Sequence, residues 1–202
     1  VTELHRTDDR LLLAVNGFAR RTGWLHTPAL LYATYGLVLV GVLLAVALWT
    51  RRGRSDRELA AAGWAPVAAV VALALNQGIG AAVGEARPYA THPGLLVLAT
   101  RTTDASFPSD HAVVAGACAA GLWLVSRRLG VVAAVLAVLM AGARVYVAAH
   151  YPWDVAAGLL VGAGVALLGW WVLRRPLTAL TRWLRTRPVV RSVFPVPVPA
   201  RP

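Results

Sequence analysis

Five long apolar runs set the terms on which this chain can fold. They lie near residues 28–50, 60–83, 109–126, 130–149 and 153–173. About 20 helical residues cross the roughly 30 Å of hydrocarbon in a bilayer. Inside lipid every backbone N–H and C=O needs an internal partner, so a spanning segment is a helix. The chain is therefore expected to be an all-α, polytopic membrane helix bundle of about five transmembrane helices. Composition agrees: 58% of the 202 residues are hydrophobic and 14% are charged, a balance rare in a water-soluble domain. The single cysteine, Cys118, lies in an apolar run and is read as a packing residue.

The formal net charge is +11, and every basic residue is arginine. On a soluble protein this balance would suggest nucleic acid. Here the arginines flank apolar runs, which is the pattern of membrane topology, and no nucleic-acid partner is expected. Arg51, Arg52, Arg54 and Arg57 separate the first two runs, Arg127 and Arg128 the third and fourth, and Arg174 and Arg175 follow the fifth. Alternating spans place these groups on one side, expected to be cytoplasmic together with the C-terminus. The loop 84–108 and the turn 149–152 then face outward from the cell membrane. No cleavable signal is visible, so the first span is expected to serve as an uncleaved insertion signal.

Three segments are expected. Residues 1–27 form an interfacial amphipathic segment, with Leu11, Val15, Phe18 and Ala19 at helical spacing over 8–20, and Asp8, Asp9, Arg10, Asn16 and Arg20 elsewhere. Residues 28–175 form the membrane domain. Residues 176–202 form a basic, proline-rich cytoplasmic tail whose arginines suit anionic headgroups. Gly158, Gly162 and Gly164 smooth part of the fifth run, as close helix packing requires.

The polar residues that remain fall at the outward ends of the runs. Pro108 and Ser109 mark a helix start, with Ser109 a good N-cap. The amides and positive dipole end there suit an anion, and His111 lies within reach in the first turn. Arg144 sits near the outward end of the fourth run, where an arginine needs an anionic partner or a wet cavity. His150-Tyr151-Pro152-Trp153-Asp154 turns into the fifth run, and Asp154, four residues on, is placed to bond one imidazole nitrogen of His150 and leave the other free to attack. Arg87-Pro88 ends the second run on the same side, a guanidinium suited to phosphate oxygens. Three separate segments delivering these groups to one face point to a shared anionic ligand at the bilayer surface.

Taken together, Arg87-Pro88, Pro108-Ser109-Asp110-His111, and Arg144 with His150 and Asp154 resemble the three signature motifs of the type-2 phosphatidic acid phosphatase superfamily. The resemblance covers roughly residues 76–160. Asp110, Ala143-Arg144 and the amphipathic start are most similar to the bacitracin-resistance type of undecaprenyl pyrophosphate phosphatase. The chain departs from the family in three places: Gly80 stands where the first motif has lysine, Asp110 where the second usually has glycine, and Ala143 where the third usually has serine. Arg101, in the outer loop, is a candidate replacement for the missing charge.

The resemblance implies a lipid phosphatase. His150 would attack the terminal phosphorus, Asp154 would orient it, and His111 would serve as acid and then base. Arg87, Arg144, Ser109 and Asp110 make up the substrate-binding set. Neither a cofactor nor a metal is expected, although Glu85, Asp104 and Asp110 lie close enough in sequence to suggest a divalent ion. The expected substrate is a polyprenyl pyrophosphate. The alternatives are phosphatidate, phosphatidylglycerol phosphate or a prenyl monophosphate, and a non-catalytic lipid-phosphate binder or transporter.

Overall fold

A computed structural model describes residues 3–196. The end of the Pro-Val repeat, within the tail expected over 176–202, lies outside the described residues. Among the described residues every regular element is a helix: α1 (Glu3–Arg21), α2 (His26–Tyr35), α3 (Leu37–Arg51), α4 (Asp56–Val83), α5 (Pro88–Thr91), α6 (Asp110–Val125), α7 (Arg127–Tyr146), α8 (Pro152–Leu184) and α9 (Pro188–Val193), with a short 3-10 turn at Gly23–Leu25. The all-α membrane bundle expected from the apolar runs is what forms.

Among the described residues three helices, those containing α4, α7 and α8, are long and apolar enough to cross a bilayer. The pair α2 and α3, bent by 47° where they meet, adds a fourth. The third expected span, α6, has 16 residues, about 24 Å of helix at 1.5 Å per residue. It is the innermost helix, packed against α4, α7 and α8. Arg185, near the far end of α8, is buried and ties that end to the α3–α4 turn by bonding Asp56 (2.7 Å) and the carbonyls of Arg52 and Arg54. α8 itself runs through Pro176 to Leu184, well past the apolar run that announced it.

Small residues set how closely the bundle packs. A Cβ on Gly158 would lie 2.8 Å from the Ser109 carbonyl oxygen and 2.9 Å from Ala112 Cβ, and one on Gly162 would collide with the Val113 carbonyl. α8 thus lies backbone-close on α6, and this contact fixes the start of each helix relative to the other. Gly164 faces open space. Large apolar side chains such as Val38, Val70, Val138 and Leu168 are exposed around the outside, as expected where lipid is the solvent.

α1 is amphipathic and packs one stripe against the bundle. Leu12, Asn16 and Ala19 face the bundle, while Leu11 and Phe18 are half-exposed. Asn16 is drawn inward because it bonds both backbone groups of Leu96, its Nδ2 donating to the carbonyl at 2.8 Å and its Oδ1 accepting from the amide at 3.1 Å. Leu11 and Phe18 are left for lipid.

Candidate active site

α4, α6, α7 and α8 bring their site-bearing ends together at one end of the bundle. α4 stops at Val83, capped by Gly84 in the left-handed conformation (φ 62°). Arg87 therefore does not close that helix. It stands beyond it in extended backbone and begins α5, with Pro88 opening the helix. α7 ends at Tyr146, and Ala148 then adopts φ 59°, a conformation that costs a non-glycine residue about 1–2 kcal/mol. Hydrogen bonds hold the turn on both sides: the Val147 carbonyl accepts from Leu98 and Ala99, and the Ala149 carbonyl accepts from Arg87 Nη1 at 2.9 Å. This turn delivers His150 to the interior.

His150 is 2% exposed. Its Nδ1 lies 2.8 Å from the Ser106 carbonyl oxygen. A carbonyl only accepts, so Nδ1 carries the proton and Nε2 carries the lone pair. Nε2 lies 3.2 Å from Arg87 Nη1 and 3.2 Å from Arg144 Nη2. Burial pushes the His150 pKa down, the nearby charges of Arg144 and Arg87 push it further, and Asp154 opposes them. The outcome is a neutral imidazole whose free nitrogen sits between two guanidinium groups.

Asp154 is fully buried behind this imidazole. Its Oδ2 accepts from Ser106 Oγ at 2.5 Å and from the Tyr151 amide at 2.8 Å, and stands 3.4 Å from His150 Nδ1. The direct His150–Asp154 bond expected from spacing is thus the longest of the three contacts. The shorter link runs through Ser106, which accepts from His150 and donates to Asp154.

A cavity of about 520 Å³ opens in front of His150, and Arg87, Arg144, His111, Asp110 and His150 all line it, with Leu30, Phe107 and Val147 among its apolar wall. Ser109 stands apart. It occupies the N-cap position of α6, but its side chain makes no capping bond; it is fully buried and its hydroxyl has no partner. Its amide instead donates to the Asp154 carbonyl at 3.1 Å, locking α6 to α8. Arg144 Nε is also buried without a partner. Unsatisfied buried polar atoms are rare and call for an explanation.

The other acids are spoken for. Arg87 Nη2 donates to Asp104 Oδ2 at 2.8 Å. Burial would raise the Asp104 pKa, but hydrogen bonds from Thr102 and Arg87 outweigh it and hold the carboxyl below its ordinary value. Asp110 accepts from Asn76 at 2.7 Å and from Gln77 at 3.0 and 3.1 Å. Glu85 lines a different, smaller cavity with His5 and Asp8. These three carboxylates do not converge, and among the described residues no group of three metal-ligating side chains does. Arg101 stacks over Tyr89 (5.6 Å) and is not among the residues lining the main cavity. Gly80 lines it, with ordinary contact room for a Cβ.

Three contributors were not anticipated from sequence, Ser106, Asn76 and Gln77, and Asp104, named there only beside a divalent ion, instead pairs with Arg87. Asn76 and Gln77 had a signal, since adjacent amides within an apolar span mark a functional position. Ser106 lies in a polar loop where nothing distinguishes it.

The sequence pattern of the PAP2 superfamily matches residues 61–177. The chain is 30% identical over 157 residues to the bacitracin transport permease protein BcrC of Bacillus licheniformis, covering 78% of this chain and 76% of that one. It is 26% identical to the undecaprenyl-diphosphatase BcrC of Bacillus subtilis, covering 77% and 78%. It is 36% identical over 134 residues to the decaprenylphosphoryl-5-phosphoribose phosphatase of Mycobacterium tuberculosis, covering 66% and 69%. No solved structure is significantly similar.

Proposed function

This chain belongs to the PAP2 superfamily, and we propose that it releases the terminal phosphate of a polyprenyl pyrophosphate, leaving the monophosphate, through a phosphohistidine on His150. The coarser assignment, a multi-pass membrane lipid phosphatase, rests on the family itself. The observation that carries the finer one is the Nε2 lone pair of His150, held between Arg87 and Arg144 at the wall of the cavity. Relatives named as undecaprenyl-diphosphatases support the substrate class.

The reaction proceeds in two displacements. Nε2 attacks the terminal phosphorus, a P–N bond forms, and the bridging P–O bond breaks. His111 gives a proton to the departing monophosphate oxygen. Arg87 and Arg144 take the non-bridging oxygens, where transition-state charge is spread. Arg144, which lines the cavity and whose Nε is unpartnered, is a donor that an oxyanion would satisfy. Ser106 and Asp154 stabilise the imidazolium that forms when His150 is phosphorylated. A water then gives its proton to His111 and attacks phosphorus, the P–N bond breaks, and inorganic phosphate leaves with His150 restored. Asp110, held by Asn76 and Gln77, shapes the cavity wall beside His111. The arginine-flanked ends lie inside the cell, so the site opens outward.

A second reading, hydrolysis of a prenyl-linked phosphomonoester, is favoured by Gly80. With no lysine there, the cationic part of the wall is two arginines, enough for one phosphoryl group, and one relative is a decaprenylphosphoryl-5-phosphoribose phosphatase. The test is phosphate release by purified protein from undecaprenyl pyrophosphate, phosphatidate, phosphatidylglycerol phosphate and a prenyl monophosphate, in one detergent, with and without a chelator. The pyrophosphate should turn over fastest. Release from a monoester but not from the pyrophosphate would overturn the first reading.

A further inference from the structure

A second polar cavity lies at the opposite end of the bundle. It has a volume of about 480 Å³ and is lined by Arg57, Arg174, Arg175, Thr178, Ala179 and Arg182. Twenty-two residues of α8 separate Pro152, at the active site, from Arg174; at 1.5 Å per residue that is about 33 Å, close to the hydrocarbon thickness of a bilayer. The two cavities thus belong to opposite leaflets.

The four guanidinium groups come from two helices. Arg57 opens α4, and the others follow one another along α8. Their counter-charge is incomplete. Asp56 meets Arg182 at 3.3 Å but is held more closely by Arg185 at 2.7 Å. Among the described residues no carboxylate forms an ion pair with Arg57, Arg174 or Arg175. Membrane topology explains why arginines lie on this side. It does not explain why those of two helices gather around one cavity.

The same face of α8 continues into apolar surface. At 100° per residue, Leu168, Trp171 and Val172 lie within about a sixth of a turn of Arg175, one to two turns closer to the bilayer centre. All three are well exposed, Trp171 at 68%. Tryptophan suits the boundary between headgroups and chains, and arginine binds phosphate through paired N–H donors. We propose that this cavity binds an anionic phospholipid of the inner leaflet, with its headgroup phosphate among Arg57, Arg174 and Arg175 and its acyl chains along Leu168, Trp171 and Val172. The site is separate from the catalytic cavity and does not depend on which substrate is cleaved there.

The test uses the full chain in detergent with equimolar phosphatidylglycerol and phosphatidylcholine, read by native mass spectrometry. The wild-type protein should retain one phosphatidylglycerol at least about tenfold in excess over phosphatidylcholine. Arg57→Gln/Arg174→Gln/Arg175→Gln should lose that preference while keeping phosphatase activity. Arg127→Gln/Arg128→Gln, which removes charge from the same end of the bundle but not from the cavity, should keep the preference. Equal loss in both variants, or no preference in the wild type, would overturn the proposal. A competition arm with inorganic phosphate separates lipid from free anion, and displacement at low millimolar phosphate would overturn the lipid assignment. If the triple variant does not fold, a phosphatidylglycerol carrying a headgroup photolabel decides on the wild type: label at the start of α4 around Arg57 or within 174–182 supports the site, and label elsewhere contradicts it.

Discussion

Ser106 holds His150 from behind: its carbonyl oxygen lies 2.8 Å from His150 Nδ1, while its hydroxyl donates to Asp154 at 2.5 Å. One loop residue therefore fixes the imidazole tautomer and anchors the buried carboxylate that faces it. Ser106→Ala keeps the carbonyl but leaves Asp154 short of a donor. A lost hydrogen bond to a buried charge costs about 1.5–3 kcal/mol, and a barrier rise of about 1.4 kcal/mol is tenfold in rate. The variant should lose at least about tenfold in kcat with little change in KM and should melt at lower temperature. Unaltered kcat would remove Ser106 from the account.

The pH profile follows from burial. His150 must be neutral to attack, and its pKa is depressed. Activity should therefore persist as pH falls through the ordinary histidine value of about 6.5 and decline only below it. The same sign applies to stability. The unfolded chain takes up a proton near the ordinary value while folded His150 does not, so its contribution to stability falls as pH drops below that value. kcat/KM measured from pH 4 to 8 checks the first claim, and an acid limb centred above the ordinary value would contradict it.

Asp104 pairs with Arg87 at 2.8 Å. A phosphoryl oxygen needs the same guanidinium, so the carboxylate competes with it. Asp104→Asn should strengthen inhibition by inorganic phosphate by roughly 3–10-fold, about 0.7–1.4 kcal/mol, with kcat largely kept. Weaker phosphate inhibition would mean that Asp104 serves to position Arg87.

Much of the site could be read from the sequence because membrane economics makes polar residues conspicuous. Arg87, His111, Arg144 and His150 each interrupt or end an apolar run, and the structure gathers all four around one cavity. Ser106 was illegible because a polar loop gives a serine no contrast, and the pairing of Asp104 with Arg87 depends on how that loop folds back. Ser109 could be placed but its use could not. Its position as helix start holds, yet its hydroxyl is left unpartnered and its amide is spent on Asp154, which depends on how α8 packs. For α1, periodicity could not distinguish a face against protein from a face against lipid. Asn16, a polar residue turned inward to bond Leu96, settles which is which.

Gly162 tests the packing that brings the site together. A Cβ there would collide with the Val113 carbonyl, whereas one on Gly164 meets open space. Gly162→Ala should cost about 1–3 kcal/mol through overpacking and lower the melting temperature in detergent. It should also reduce activity, because α6 and α8 carry His111 and Asp154. Gly164→Ala should match the wild type in both assays. Equal behaviour of the two variants would show that α6 and α8 tolerate separation.

The most direct measurement is a brief pulse of substrate labelled in its terminal phosphate, followed by denaturing quench and peptide mapping. The label should sit on His150 as an acid-labile, base-stable adduct, and His150→Ala should trap none and turn over no substrate. Full turnover with no label on His150, or near-normal activity in His150→Ala, would contradict the account.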